Sequence, residues 1–211
     1  MKYFISSDYH ISHANILKYC GRTLFMTKKD LEIYNSLLNS SEEEQRKFII
    51  SKESLAIHDK AIIRNHNERV NDEDIVIFLG DFCFRNSKGG KEGEGTQTKA
   101  LELLKLFKGR FVFIAGNHDK SNSLNTPIIS CKLRYGNRII NCVHNPNYVD
   151  MDTDINFCGH VHENWKYKRI IRGEKITDVV NCGVDVWCFR PITMEEALTG
   201  LNRWKKENNY K

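Results

Sequence analysis

The sequence lacks several features that define whole classes of protein. No apolar run approaches the ~20 residues that a membrane-spanning helix needs, so no membrane partner is expected. The seven cysteines are odd in number and none has C-x-x-C spacing, which agrees with a cytoplasmic protein. No G-x-x-x-x-G-K-[ST] pattern occurs, so the glycine-rich segment at 86–96 is not a P-loop.

Length and composition fit one globular domain. The chain has 211 residues, 40% hydrophobic and 28% charged. We expect a single domain over 1–211, with a helical insertion at about 27–70 and a flexible glycine-rich loop at about 86–96. Because residues 1–5 lead straight into a strand pattern rather than a leader, the sequence predicts a cytoplasmic protein. The net charge of +5 suits an anionic substrate, and no pattern assigns an oligomeric state.

Five short apolar runs each end abruptly in Asp, His or Asn. These runs are residues 2–6, 75–79, 111–115, 139–143 and 155–158. Runs of this length that are rich in Val, Ile and Phe and bounded by Gly or Asp predict buried strands. Ligands of open α/β sheets bind beyond the carboxyl ends of the strands, so we expect the five endings to form one site.

Other patterns predict helices and a hairpin. Thr27-x-x-Asp30, Ser41-x-x-Glu44 and Thr193-x-x-Glu196 are typical helix starts, in which a side-chain oxygen caps free amides. A further helix is expected over 98–107, and a hairpin joins the runs at 165–171 and 176–182. His58 and His66 fall in the helical segment and are interpreted as structural or surface residues.

The residue types at the five endings suit a pair of divalent cations. Hydrolysis of a phosphate ester brings an anionic nucleophile to an anionic centre, and two cations about 3.5–4 Å apart overcome that repulsion. Such a pair needs a bridging carboxylate with neutral imidazole and amide ligands. The candidate ligands are Asp8, His10, Asp81, Asn117, His144, His160 and His162. Mixed nitrogen and oxygen ligands favour Mn, Fe, Co, Ni or Zn over Ca or Mg.

In this order, the motifs resemble those of the calcineurin-like metallophosphoesterase superfamily. They are Asp-x-His at 8–10, Gly-Asp at 80–81, Gly-Asn-His-Asp at 116–119, a lone His at 144 and Gly-His-x-His at 159–162. Small bacterial and phage phosphoesterases are most similar, because residues 7–16, 19–22 and 181–187 also match. The resemblance implies an α/β fold, a four-layer αββα sandwich of two mixed β-sheets flanked by helices, with a dimetal site at one edge.

The resemblance also implies roles for individual residues. One ion, with manganese preferred and Fe, Ni, Co or Zn as alternatives, would be held by Asp8, His10 and His162 and a second by Asn117, His144 and His160, with Asp81 bridging both. A metal-bridging water would be the nucleophile, and His118 the general acid. Where many relatives have an Asp that orients this histidine, the chain has Phe84, so His118 would be oriented by another group, with Asp119 as the candidate, or would work without a carboxylate partner.

Three residues are candidates for substrate binding. His13 and Arg22 follow the first ligand pair, and Arg85 matches an arginine that grips phosphate in some relatives. In the alternative interpretation, Arg22 pairs with a surface acid. Tyr148, Trp165 and Trp187 could stack on a nucleobase, although Trp187 is assigned to the core. Asp185 is a candidate hydrogen-bond partner for a histidine that binds metal.

The sequence therefore predicts a dinuclear-metal-dependent phosphoester hydrolase. A phosphodiesterase is favoured over a phosphomonoesterase, and the expected substrate is a small phosphorylated or nucleotide-like molecule. A nuclease is the first alternative; Lys166, Lys168, Arg169 and Arg172 on the predicted hairpin would then form a basic track. The second alternative is a metal-binding scaffold without turnover, and the presence of every ligand and of His118 argues against it.

Overall fold

A computed structural model describes residues 1–84, 98–120 and 122–210. Arg85 and the segment at 86–96 lie outside the described residues. The strands are β1 (Tyr3–Ser6), β2 (Ile75–Phe78), β3 (Arg110–Phe113), β4 (Ser130–Tyr135), β5 (Arg138–Val143), β6 (Ile155–Cys158), β7 (Tyr167–Arg172), β8 (Lys175–Asn181) and β9 (Ile192–Thr193). The helices are α1 (Ile16–Tyr19), α2 (Lys28–Leu37), α3 (Glu42–Lys47), α4 (Lys52–Asn67), α5 (Ala100–Leu104) and α6 (Met194–Glu207).

The first sheet brings three strand ends level with one another. Its order is β3-β2-β1-β9, with β1, β2 and β3 parallel and β9 antiparallel. Ser6 pairs with Phe78, and Phe78 pairs with Phe113, so the three parallel strands end side by side. The polar residues that follow these strands are consequently placed at the same edge.

The second sheet repeats this arrangement. Its order is β4-β5-β6-β8-β7, in which β5, β6 and β8 are parallel. β4 and β7 are antiparallel to their neighbours and form hairpins with β5 and β8. The hairpin predicted around residues 172–174 is confirmed. Both sheets are mixed, as predicted.

The two sheets pack face to face through alternate side chains of their strands. Ile5 and Ile77 of the first sheet lie in one buried cluster with Ile140, Phe157 and Val180 of the second. Each fully buried side chain of this size contributes roughly 1.5–3 kcal/mol relative to an exposed one. The other face of the first sheet packs on α4 and α5, and α6 contributes its apolar side chains to the central cluster. The predicted pair of mixed sheets flanked by helices is confirmed.

The helix starts follow the predicted capping chemistry. The Thr27 hydroxyl accepts from the Asp30 amide, while Ser41 with Glu44 and Thr193 with Glu196 form full capping boxes. α5 is shorter than predicted and covers only 100–104. None of the helices in the described ranges is both long and apolar enough to cross a bilayer.

Candidate metal centre

The candidate ligands lie where the parallel strands of both sheets end. Asp8 follows β1, Asp81 follows β2 and Asn117 follows β3, while His144 and His160 follow β5 and β6. The two edges are joined directly, since the His160 amide donates to both carboxylate oxygens of Asp8 at 3.0 and 3.2 Å. Ser7 also forms an isolated bridge with Gly183, which follows β8. The five strand endings of the sequence therefore meet in space.

Six of the seven candidate ligands fall into two triads of side chains. In each triad the potential ligand atoms lie within 4.8 Å of one another. One triad is Asp8, His10 and His162, and the other is Asp81, His144 and His160. The seventh candidate, Asn117, joins the second triad, because its Oδ1 lies 2.9 Å from His144 Nε2 and 2.9 Å from His160 Nδ1.

One oxygen of Asp81 faces both triads. Its Oδ2 lies 3.6 Å from His10 Nε2 and 3.4 Å from His144 Nε2. Within the described residues, His10 Nε2 is buried and has no hydrogen-bond partner. A buried polar atom without a partner is costly, and a cation between the side chains would satisfy it. The donor set therefore fits a pair of divalent cations.

The backbone at the site is strained. Five of the candidate ligands have φ values between 46° and 72°, the left-handed region that L-residues rarely adopt: Asp8, His10, Asp81, His160 and His162. Such a conformation costs roughly 1–2 kcal/mol per residue. Strain of this kind persists where the surrounding structure enforces it, and it is concentrated at functional sites.

Two glycines allow the loops to approach each other. A Cβ on Gly116 would overlap the Asp81 carboxylate, with Asp81 Cγ only 2.9 Å away. A Cβ on Gly159 would overlap the Ser7 hydroxyl and lie 2.5 Å from Asp8 Oδ2. Each glycine thus leaves room for a carboxylate of the site.

Burial and charge perturb the protonation equilibria of the cluster. Burial raises the pKa of Asp8, and the charges of His144 and His162 only partly oppose this. Burial, with the positive charge of Arg22, holds the pKa of His10 well below 6.5. Burial alone would lower the pKa of His144. The hydrogen bond with Asp81 opposes this, and the net pKa is raised to about 9. Opposed shifts within one cluster of side chains are typical of functional sites.

Protein acceptors orient two of the imidazole rings. His144 Nδ1 lies 2.6 Å from the carbonyl oxygen of Leu79, to which it donates. His162 Nδ1 lies 3.0 Å from Asp185 Oδ2. In both residues the Nδ1 hydrogen is engaged, which leaves Nε2 available as a ligand atom. Asp185 has the position expected of a second partner for a ligand histidine.

His118 lies beside the triads in a cluster of rings. One of its nitrogens is within 4.8 Å of ligand atoms of His10 and Asp81. Phe84 packs edge-on against the His118 ring at 5.4 Å between centroids and stacks on His13 at 4.3 Å. Phe84 therefore contacts the His118 ring, which in many relatives would be oriented by an aspartate. His13 is buried, with its Nδ1 3.4 Å from Nδ1 of His10.

Asp119 is placed to hold two loops rather than to face solvent. Its Oδ2 accepts from the amides of Asp81 and Gly116 at 2.9 and 2.8 Å. Its Oδ1 accepts from the Phe82 amide at 3.3 Å and from Asn122 Nδ2 at 2.6 Å. The carboxylate thus ties the turn after β2 to the turn after β3.

The expected substrate contact of Arg22 is wrong. The residue is 1% exposed, and its guanidinium bonds to protein acceptors on every side. A side chain enclosed in this way cannot reach a bound substrate. The acid with which it pairs is Asp185, not a surface residue. Arg85, the third substrate-binding candidate, lies outside the described residues.

Sequence reasoning missed the supporting role of His58 and Asp59. His58 is buried and its Nδ1 lies 2.9 Å from Asp59 Oδ1, while Asp59 accepts from the Ser12 amide at 3.0 Å. Ser12 also has a left-handed φ, of 64°, in the loop that carries the first ligands. No local motif signals a contact between residues 47 positions apart.

The calcineurin-like phosphoesterase family matches residues 7–189, and the chain belongs to this family of metal-dependent phosphoesterases. The chain is 31% identical over 211 residues to the uncharacterised protein MJ1445 of Methanocaldococcus jannaschii. The alignment covers 97% of this chain and 93% of that protein. It is similar in structure to a protein of unknown function, AQ665 from Aquifex aeolicus, with a TM-score of 0.54, 18% identity and coverage of 92% and 96%. A novel archaeal phosphodiesterase aligns with a TM-score of 0.35, 16% identity and coverage of 87% and 84%, which is too remote to bear on the substrate.

Proposed function

We propose that the protein is a phosphodiesterase that uses two divalent cations to hydrolyse a small, nucleotide-like diester. Asp8, His10 and His162 would hold one ion, and Asn117, His144 and His160 the other. Asp81 would be shared by both. Manganese is our first choice, with Fe, Ni, Co or Zn as alternatives, since a mixed set of imidazole, amide and carboxylate ligands suits these metals better than magnesium or calcium.

The observation that carries the proposal is the position of Asp81 Oδ2. This oxygen lies within 3.6 Å of an imidazole nitrogen from each triad, so one carboxylate serves both halves of the cluster. His10 Nε2, buried without a hydrogen-bond partner among the described residues, would be satisfied by a cation on the same side. A shared carboxylate between two nitrogen-rich sets is the arrangement that a two-metal hydrolase requires.

The ions and the side chains around them would have separate roles in the reaction. When bound, the two ions would supply an activated water and neutralise the phosphoryl oxygens. His118 is half-buried next to the triads, and its ring is held by Phe84 and His10, so we assign it the transfer of a proton to the leaving oxygen. His13, packed on Phe84, would line the same side of the pocket. Asp119 would keep the Asp81 and Asn117 turns together.

The preference for diesters rests on His118. It also rests on the resemblance to small phosphodiesterases, because a general acid assists any ester whose leaving group is a poorly leaving alkoxide. Tyr148 would contact the organic part of the substrate, because it is 75% exposed and lies four residues beyond His144. Aromatic side chains stack on any nucleobase, which suits a nucleotide-like ligand.

The test is hydrolysis by chelated protein repleted with Mn²⁺, Ni²⁺, Fe²⁺ or Zn²⁺. Bis-p-nitrophenyl phosphate and p-nitrophenyl phosphate are compared at equal concentration, with the Asp81→Ala variant as the control. We expect the metal-restored protein to cleave the diester faster, and Asp81→Ala to cleave neither. Cleavage of the monoester alone would reassign the protein as a phosphatase. No cleavage of either ester with metal bound would contradict the proposal for these substrates and favour a scaffold.

The nuclease alternative is tested in the same experiment with plasmid DNA and single-stranded oligonucleotides. Within the described chain, two of the four residues of the expected basic track already form hydrogen bonds to protein acceptors. Arg169 forms a bidentate pair with Asp178, and Arg172 donates to the carbonyl oxygen of Asn147. We therefore expect nucleic acids to survive while the small diester is cleaved.

A further inference from the structure

A buried arginine lies directly behind one of the two triads. Arg22 has five N–H groups, and each has an acceptor within 3.2 Å. Nε and Nη2 bond to the two carboxylate oxygens of Asp185 at 2.7 and 2.9 Å. The remaining donors reach the carbonyl oxygens of Asp8 and Tyr9 at 2.8 and 3.2 Å and His58 Nε2 at 2.9 Å. No N–H group of the guanidinium is left over.

The two carbonyl bonds control the loop that carries Asp8 and His10. These oxygens belong to the peptide groups on either side of Tyr9, whose orientations set the directions of the Asp8 and His10 side chains. Both residues have left-handed φ values, 61° and 51°, which the chain alone would not favour. Arg22 therefore holds the strained loop in the conformation that turns both side chains into the site.

The bond to Asp185 extends this control to the third member of the triad. Asp185 Oδ2 accepts from Arg22 Nη2 at 2.9 Å and from His162 Nδ1 at 3.0 Å. The ring of His162 thus takes its orientation from a carboxylate that Arg22 itself orients. None of the five acceptors belongs to the second triad of Asp81, His144 and His160.

A further chain of bonds supports the same loop from α4. Arg22 Nη1 donates to His58 Nε2, and His58 Nδ1 lies 2.9 Å from Asp59 Oδ1. Asp59 in turn accepts from the Ser12 amide, where the backbone is again left-handed. The guanidinium thus lies at the centre of a network that connects the loop after β1, the α4 helix and the turn after β8.

We propose that Arg22 is a positioning residue that preforms one of the two metal subsites, that of Asp8, His10 and His162, and that its hydrogen bonds reach no ligand of the other subsite. The inference rests on the proposed two-metal function. Partners that orient metal ligands typically change metal affinity by 10–100-fold when they are replaced. Loss of Arg22 should therefore act on one ion of the pair.

The test measures Mn²⁺ binding to chelated Arg22→Lys protein by calorimetric titration, with electron paramagnetic resonance to detect a coupled ion pair. Lysine keeps the charge but cannot bond to Asp185, two carbonyls and His58 together. We expect one binding event to weaken at least about 10-fold, the other to stay within about 3-fold, and the coupled signal to disappear at matched metal concentration. Circular dichroism of the metal-free variant checks its folding.

Arg169→Lys is the matched control. Arg169 pairs with Asp178 through Nε and Nη2 at 2.7 and 2.9 Å, the same distances as in the Arg22–Asp185 pair, but in the β7–β8 hairpin away from the triads. It should bind two ions as the wild type does. If Arg22→Lys does not fold, Asp185→Asn, which disturbs both the Arg22 pair and the His162 contact but keeps the guanidinium, should weaken the same subsite.

The outcomes separate the inference from the function on which it rests. Wild-type protein that binds fewer than two Mn²⁺ ions would contradict the proposed function itself. Two ions in the wild type and two unchanged affinities in Arg22→Lys would overturn the inference alone. Equal weakening of both ions in a folded variant, or the same selective loss in Arg169→Lys, would also overturn it, because Arg22 would then act on general stability.

Discussion

Replacement of Asp119 by asparagine distinguishes between two possible roles of its carboxylate. The sequence suggested that Asp119 orients His118, whereas the structure directs its hydrogen bonds to the amides of Asp81, Phe82 and Gly116 and to Asn122. If the residue ties the two turns together, Asp119→Asn should lower the free energy of unfolding and weaken metal binding at the same time.

The magnitude follows from the number of donors. The carboxylate is 5% exposed and accepts four hydrogen bonds, whereas an asparagine has one acceptor oxygen. Two of the four donors would then lose their acceptor. A buried donor without a partner costs roughly 1–3 kcal/mol, so we expect a loss of about 2–6 kcal/mol in the free energy of unfolding.

The assay is urea denaturation of the metal-free protein, combined with Mn²⁺ titration. Asp74→Asn is the control, since Asp74 is also buried and accepts from the backbone amides of Lys2 and Asn71, but at the opposite end of β2. That variant should lose stability without losing metal. An Asp119→Asn variant with unchanged stability and metal binding, but slower cleavage of esters with poor leaving groups, would refute this role. It would indicate instead that Asp119 orients His118.

Three further predictions test separate parts of the account. His118→Ala should keep both metals and lose about 10²–10⁴-fold in kcat for alkyl diesters but less for p-nitrophenyl esters; equal losses would argue against an acid role. Burial lowers the pKa of His66 to about 4, so the stability from its neutral form is complete above pH 6.5 and is lost as the pH falls toward 4. When the pH is lowered from 6 to 5, the free energy of unfolding measured by urea denaturation should fall by up to about 1.4 kcal/mol less in His66→Gln than in the wild type. Gly159→Ala should displace the Asp8 carboxylate and reduce bound Mn²⁺ in metal analysis, while Gly136→Ala, where a Cβ meets nothing within 4 Å, should not.

The strands that carry the site could be predicted because their signal is local. Ile155–Cys158 was predicted to the residue, and the other four runs differ from the structure by one or two positions at their ends. Buried parallel strands are apolar throughout and stop where the chain turns polar. The capped starts of α2, α3 and α6 could be predicted for the same reason, since each cap involves residues three positions apart.

Two strands of the sheets gave no such signal. β4 (Ser130–Tyr135) lies at the edge of its sheet and alternates half-buried with exposed residues, so it has no apolar run. β9 has two residues and exists only through its pairing with Phe4 and Ile5 of β1. Strands of this kind are defined by their neighbours, not by their own composition.

The role of Arg22 could not be predicted for a related reason. An arginine after a short helix is most often exposed, and the sequence contains nothing nearby that would neutralise it when buried. Its partner Asp185 is 163 residues away and is brought to it only by the second sheet. The sequence indicated that both residues belong near the site, but the contact between them, and hence the loss of any substrate contact, depends on the tertiary structure.

The central claim is that two cations share Asp81, and anomalous scattering from crystals grown with Mn²⁺ tests it most directly. Data collected on either side of the manganese absorption edge would locate each ion without reference to activity. We expect two peaks, one bounded by Asp8, His10 and His162 and the other by Asn117, His144 and His160, with Asp81 in contact with both. A single peak, or peaks away from Asp81, would contradict it.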